Sequence, residues 1–273
     1  MKITAATKVL GVIGDPVGHS LSPIMHNGWI ADAGLDAVYV ALPLKTADAA
    51  SAIKAMRGLG FTGLNVTVPH KEAAASAADR VEGVVANVLR WEEDGSLSAF
   101  NTDGAGFLDS LDESAPDWRG RVKRALIVGA GGAAQAIGQA LSPHVETVHF
   151  INRTQERANT VARSIRNGRM LRWDDMERGF GAVELVVQTT TLGMNGSEAP
   201  AWPVEFCRPN AIVADIVYRP IETELLAAAR ARGLPAIDGL GMLIHQGARS
   251  FELWFGVKPD VAKARERLLA ALS

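Results

Sequence analysis

The sequence predicts an α/β protein built from two α/β units in tandem. Short apolar runs alternate with helical patterns nearly throughout, the alternation breaks once and restarts at Arg124, and everything from Gly241 onward is helical in pattern. Strands that alternate with helices imply a parallel sheet covered on both faces.

The elements follow in order. Lys8 to Gly14 (KVLGVIG) reads as a strand, and Ser22-Pro23 opens a helix. Ala37 to Leu44 is a second strand, Thr46 to Arg57 an Ala-rich helix, and Leu64 to Pro69 a third, alternating strand. Val84 to Trp91 and Ser96 to Phe100 are a strand pair flanking the turn Glu92-Glu93-Asp94-Gly95. The polar stretch Asp112 to Lys123, with Pro116 and Gly120, reads as a domain junction. Strands then start at Arg124, Thr147, Glu184, Ala211 and Pro235. Helices follow Gly131, Thr154 and Glu222, the last ended by Gly233, and Pro259 separates two terminal helices.

A chain of 273 residues favours two domains, and 48% hydrophobic with 21% charged residues supports a sizeable core. Mean hydropathy is +0.08. A net charge of −2 without a basic stripe argues against a nucleic-acid partner. The single cysteine, Cys207, excludes an internal disulfide framework and a Cys-rich zinc site. Met1 to Thr4 lead into an apolar run broken by Gly11 and Gly14, which is no secretory signal. The longest uncharged apolar stretch, Ala125 to Leu141, carries four glycines and is too short for a bilayer. The expectation is a cytoplasmic protein with a small-molecule partner and no membrane association.

The sharpest local signal is Gly129-Ala130-Gly131-Gly132-Ala133-Ala134, directly after an apolar strand and before a helix. Gly129 would permit the tight turn, Gly131 the approach of backbone N–H groups to a pyrophosphate, and Ala134 close helix packing. The helix N-terminus adds the partial positive charge that a phosphate needs. About twenty residues on, where NAD-binding folds place an acid, stand Asn152, Arg153, Thr154 and Arg157. Guanidiniums there would bind a 2′-phosphate that an acid would repel, favouring NADP over NAD. A solvated face is the alternative for Arg153 and Arg157, although cations at a helix start oppose its dipole.

Ser20 and Ser22 sit near a helix N-terminus and could grip a carboxylate; the plainer reading makes one an N-cap with Pro23 at the first helical position. The run Asn65 to Lys71 ends a strand in polar groups. Lys71 with Asp103 would form an acid/base pair if the fold unites them, whereas a lysine at a helix start is ordinarily surface. The six histidines show no metal-ligand spacing, so no metal is expected; His19 and His26 fit helix-entry and helix-surface roles. No Gly-x-Ser-x-Gly elbow is present.

Eight runs in order resemble the shikimate dehydrogenase family: GDPVGHSLSPIMHN from Gly14, NVTVPHK from Asn65, FNTDGAGF from Phe100, VGAGGAAQA from Val128, NRTQERA from Asn152, TTLGM from Thr190, DIVYRPIETELL from Asp215, and GLGMLIHQGARSFELWFG from Gly239. The resemblance implies a substrate domain over 1–107 with 240–273, a Rossmann-type NADP domain over 108–239, and C-terminal helices returning to the first domain. It implies NADP-linked interconversion of 3-dehydroshikimate and shikimate by a monomer or homodimer, with quinate, an aminoshikimate or another cyclic polyol acid as the alternative substrate, and a non-catalytic sensor on the same fold as a third reading. By matching motif, Ser20 and Ser22 would hold the carboxylate. Thr67, Lys71, Asn87 and Asp103 would surround the ring hydroxyls, with Lys71 and Asp103 catalytic, and Tyr218 and Gln246 would close the pocket. The cofactor would lie on Gly129, Ala130, Gly131, Gly132 and Ala133 and on Asn152, Arg153, Thr154 and Arg157, helped by Ile216 and Gly239. Two departures stand out. Where the family usually reads Gly-Ala-x-Asn-Thr this chain has Val84, Val85, Ala86, Asn87 and Val88, valines that a strand would tolerate, and Gln188 replaces a more usual asparagine.

Overall fold

The computed structural model describes residues 3–272; Met1 and Lys2, part of the N-terminal reading, lie outside the described residues, as does Ser273. The chain divides into two compact units, residues 1–102 with 246–273 and residues 103–245.

The first unit contains β1 (Lys8–Gly14), α1 (Ser22–Asp32), β2 (Ala37–Pro43), α2 (Ala49–Ala55), β3 (Phe61–Val66), α3 (Lys71–Ala77), β4 (Arg80–Val81), β5 (Val88–Trp91) and β6 (Leu97–Phe100). Its sheet runs β2-β1-β3-β5-β6-β4. The β1, β2 and β3 strands are parallel, while β5 lies antiparallel to β3 and to β6, so this sheet is mixed. The expected hairpin forms, with Gly95 at φ 77 in a left-handed turn that glycine adopts without strain. Three expectations change here. The third strand ends at Val66, which leaves Thr67 and the exposed Val68 in a loop. Val84, Val85 and Ala86 are loop rather than strand, and Val84 is 66% exposed while Val85 is buried. The two-residue β4 is too short to leave a periodic signal.

The second unit contains α4 (Asp103–Ser114), α5 (Trp118–Arg121), β7 (Arg124–Val128), α6 (Gly132–Leu141), β8 (Thr147–Ile151), α7 (Gln155–Arg163), β9 (Gly168–Leu171), α8 (Met176–Ala182), β10 (Leu185–Gln188), β11 (Ile212–Asp215), α9 (Glu224–Ala231) and β12 (Ala236–Ile237). Its sheet is wholly parallel in the order β12-β11-β10-β7-β8-β9. This is the doubly wound order, with the direction of winding reversing between β7 and β10. Apolar clusters cover both sheet faces: Ile127, Phe150 and Val187 lie in one, Leu126, Val186 and Val213 in the other. The stretch expected as a junction is largely helical and internal to this unit. Trp118 is fully buried and donates its indole N–H to Asp112 at 2.6 Å, and burying such a side chain contributes about 2–3 kcal/mol.

Two terminal helices follow, α10 (Gly239–Phe255) and α11 (Val261–Leu272), and the chain from Gln246 onward belongs to the first unit. Trp29 of α1 donates to the Asp260 carbonyl at 2.9 Å, and α1 packs on α11. Among the described residues no helix is long and apolar enough to cross a membrane.

Candidate functional site

In the second unit the apolar β7 delivers the chain into Gly129 at φ 123, a conformation that glycine tolerates and other residues do not. A Cβ at Gly129 would also collide with the Thr189 hydroxyl, which donates to the Val128 carbonyl at 2.8 Å. Gly131 precedes the ten-residue α6, whose first turn has no side-chain cap, and a Cβ at Gly131 would meet nothing within 4 Å. Ala134 is fully buried, as close packing requires. Free N–H groups on open ground at a helix start suit a pyrophosphate, so these residues fit a dinucleotide.

Val128 pairs with Ile151 on β8, which sets Asn152 beside the glycine turn. Asn152 donates to the Thr154 carbonyl at 3.1 Å, shaping the entry to α7. Arg153, Thr154 and Arg157 are exposed, and neither arginine joins an ion pair among the described residues. On the other side, Gly239 packs against the backbone of Ile216, where a Cβ would collide with the Ile216 carbonyl. Burial raises the Tyr218 hydroxyl above its ordinary range and keeps it a neutral donor.

In the first unit the polar groups gather at the carboxyl ends of β1 and β3. Thr67 N–H donates to the Ile13 carbonyl at 2.9 Å, and the Thr67 methyl occupies the space a Cβ on Gly14 would need. Ser20 accepts the Ser22 N–H at 3.2 Å, while Leu21 is the N-cap of α1 and Pro23 its second residue. Neither serine is the N-cap: Ser22, expected there, is the first residue of α1, and Ser20 shapes the entry turn. Lys71 opens α3, and its carbonyl accepts the Ala86 N–H at 3.0 Å, bringing Asn87 near. The Asn87 amide accepts the Thr102 N–H at 2.7 Å and donates to Thr102 Oγ1 at 3.0 Å and Gln246 Oε1 at 3.1 Å. Asp103, buried, follows Thr102 directly and is the first residue of α4.

Ser20, Ser22, Thr67, Lys71, Asn87 and Gln246 thus belong to the first unit, and Asp103, Tyr218 and the cofactor candidates to the second. His26 is corrected outright. It is 1% exposed, stacked on Tyr39 at 4.3 Å and edge-on to Trp29 at 5.2 Å, not on a helix surface. The residues missed by sequence reasoning are Tyr39, Thr102 and Ser250. Tyr39 donates to Asn65 Oδ1 at 2.7 Å, and Asn65 donates to Ser250 at 2.9 Å and to the Asn87 carbonyl at 3.2 Å. A polar residue inside an apolar strand, such as Asn65 in β3, was the available signal.

The fold and these clusters define a two-unit α/β protein whose second unit carries the parallel, doubly wound sheet of a Rossmann-type fold. The sequence matches the shikimate dehydrogenase substrate binding domain over 12–88, the shikimate/quinate 5-dehydrogenase family over 113–195 and the shikimate 5′-dehydrogenase C-terminal domain over 239–269. It is 43% identical to shikimate dehydrogenase (NADP(+)) of Rhodospirillum rubrum over 96% of both chains. A crystal structure of a shikimate dehydrogenase in complex with NADP+ superposes with a TM-score of 0.91 at 34% identity, covering 100% of this chain and 98% of that one. Quinate dehydrogenase from Corynebacterium glutamicum in complex with NAD gives 0.89 at 31% identity, covering 97% and 99%. The chain belongs to the shikimate dehydrogenase family.

Proposed function

We propose that the protein is an NADP-dependent oxidoreductase interconverting 3-dehydroshikimate and shikimate. The observation that carries this reading is the glycine turn after β7, followed at the end of β8 by two arginines free of ion pairs where an NAD-binding fold holds an acid. We assign the cofactor residues to the second unit and the substrate residues other than Asp103 and Tyr218 to the first. With this goes the expectation of a cytoplasmic enzyme acting on a small cyclic carboxylate as monomer or homodimer.

Ser20 and Ser22 hold the carboxylate with their hydroxyls. Thr67, Asn87 and Gln246 orient the ring hydroxyls, with Tyr218 as a further donor. Lys71 takes the proton from the reacting hydroxyl as its carbon loses hydride, and returns it in the reverse direction. Asp103 is the second member of the acid/base pair. The nicotinamide supplies the hydride acceptor and donor when bound. No residue need change its covalent state, so positioning and proton transfer are the protein's contribution.

Steady-state assays of shikimate, quinate and aminoshikimate, each with NADP and NAD, test the proposal. The highest kcat/KM is expected for shikimate with NADP. A higher value for another acid, or for NAD, would overturn the assignment of substrate or cofactor respectively.

A further inference from the structure

The carboxyl ends of β10 and β11 carry a buried polar cluster that the proposed chemistry leaves unused. Gln188 and Asp215 are register partners on the two strands, 0% and 2% exposed. The Asp215 carboxylate accepts the Val217 N–H at 2.9 Å, the Thr223 hydroxyl at 2.8 Å and Gln188 Nε2 at 3.3 Å. Gln188 Nε2 also lies 3.2 Å from the carbonyls of Thr190 and Leu192, and its Oε1 accepts the Thr190 N–H. Thr223 in turn caps α9 through the Leu226 N–H at 3.3 Å. One amide and one carboxylate therefore tie down both loops that leave these strands.

Two apolar side chains would hold strand ends together without desolvating a charge. Burial pushes the Asp215 carboxyl up to about 6 against the pull of its three hydrogen bonds, a measure of the strain on keeping it there. The position of the cluster suggests its use. Ligands of open α/β sheets lie beyond the carboxyl ends of the strands at the point where the winding reverses, here between β7 and β10. A dinucleotide seated on Gly129–Gly132 with one half toward Arg153, in the turn after β8, must send its other half over β10 and β11. There Thr189 packs on Gly129, and the Ile216 backbone rests on Gly239.

We propose that Gln188 and Asp215 form a clasp that positions the loops 189–194 and 216–218 as the wall for the nicotinamide half of the cofactor. This deepens, and rests on, the reading of the second unit as an NADP site. They are positioning residues: they act through Val217, Ile216 and Thr190 rather than by touching the reacting atoms.

Calorimetric titration of the full-length protein with NADP+ and with 2′,5′-ADP, which lacks the nicotinamide half, tests the clasp. Asp215→Asn keeps the shape and removes the charge, and Gln188→Met keeps the length and removes the amide. Each is expected to raise the Kd for NADP+ about tenfold and leave that for 2′,5′-ADP within twofold. Should both variants fail to fold, Thr223→Val deletes a single donor and is expected to weaken NADP+ about threefold with the same selectivity. Equal weakening of both ligands, or a lowered melting temperature with both affinities unchanged, would reduce the cluster to a strand-end stabiliser and overturn the proposal. Wild-type protein that bound neither ligand would overturn the NADP reading and the clasp with it. Wild-type binding with unselective variants would overturn the clasp alone.

Discussion

His26 makes the first unit sensitive to acid in a way that can be calculated. Its ring is enclosed by Trp29, Tyr39, Phe251 and Trp254, and neither ring nitrogen has a hydrogen-bond partner of good geometry. The nearby Asn65 amide offsets only part of this, because its hydrogen bonds already go to Tyr39, Ser250 and Asn87. Burial therefore drives the imidazole from its ordinary 6.5 down to about 3. The folded state takes up this proton less readily than the unfolded one. The resulting stability is complete above pH 6.5 and is lost progressively as pH falls toward 3. At about 1.36 kcal/mol per pH unit, the full loss from this residue is about 5 kcal/mol. At pH 5 it is already about 2 kcal/mol.

The perturbation is His26→Phe, which keeps a ring stacked on Tyr39 and removes the titration. Urea unfolding, followed through tryptophan fluorescence, should be run on both proteins at pH 8 and pH 5. Carboxylates titrate alike in both, so the difference between the curves isolates His26. The gap in stability between wild type and variant should move by about 2 kcal/mol in favour of the variant on going to pH 5. Parallel pH dependences, or an NMR titration placing the His26 ring near 6.5, would refute the reasoning.

Further outcomes follow from the same structure. Arg153→Ala should weaken NADP far more than NAD, with equal efficiency of both cofactors in wild type counting against the arginine assignment. Ser20→Ala with Ser22→Ala should raise the substrate KM and leave NADP affinity nearly unchanged in a fluorescence titration; unaltered kinetics would return both serines to shaping the entry of α1. Lys71→Met keeps much of the stem and deletes the charge, so kcat should fall by about 10²- to 10⁴-fold, and a value within about threefold of wild type, with chemistry rate-limiting, would remove Lys71 from proton transfer. For Asp215, whose folded-state value is raised from 3.8 to about 6, stability is present at low pH and lost as pH rises through 6. Asp215→Asn should therefore gain on wild type by about 2 kcal/mol between pH 4 and pH 7.5 in chemical denaturation, and a constant difference would contradict this.

How much of this was legible in the sequence depended on range. β1 and β7 were readable because a parallel strand buried on both faces is a continuous apolar run bounded by glycine. The glycine turn was readable because its chemistry is local. The end of α4 and all of α5 read as a junction, Asp112 to Lys123, because Pro116 and the acidic residues around it look like a linker until Trp118 is seen to be buried. His26 was misplaced for a related reason. Its apolar neighbours Trp29 and Ile30 put it on the buried face of α1, but Phe251 and Trp254, which close over it, come from the far end of the chain. The loop at Val84–Ala86 reads as strand because valine favours one, but no partner strand is there to accept its hydrogen bonds.

The same limit explains why the polar clusters escaped notice although their residues are ordinary. Asn87 must present an acceptor to the Thr102 N–H and donors to Thr102 Oγ1 and Gln246 Oε1. An aspartate would lack the donors, and a leucine would leave the buried Thr102 N–H without its acceptor, at about 1–3 kcal/mol. A primary amide carries an acceptor oxygen and two N–H donors on one short side chain, which a single hydroxyl cannot match. Gln188 solves a wider version of this problem, with one amide serving Thr190, Leu192 and Asp215 across the gap between two strand ends. The extra methylene relative to asparagine lets it reach the loop and the neighbouring strand together. A departure that looks conservative in the sequence is therefore a change in span, and that span lets one side chain join a loop to the neighbouring strand end.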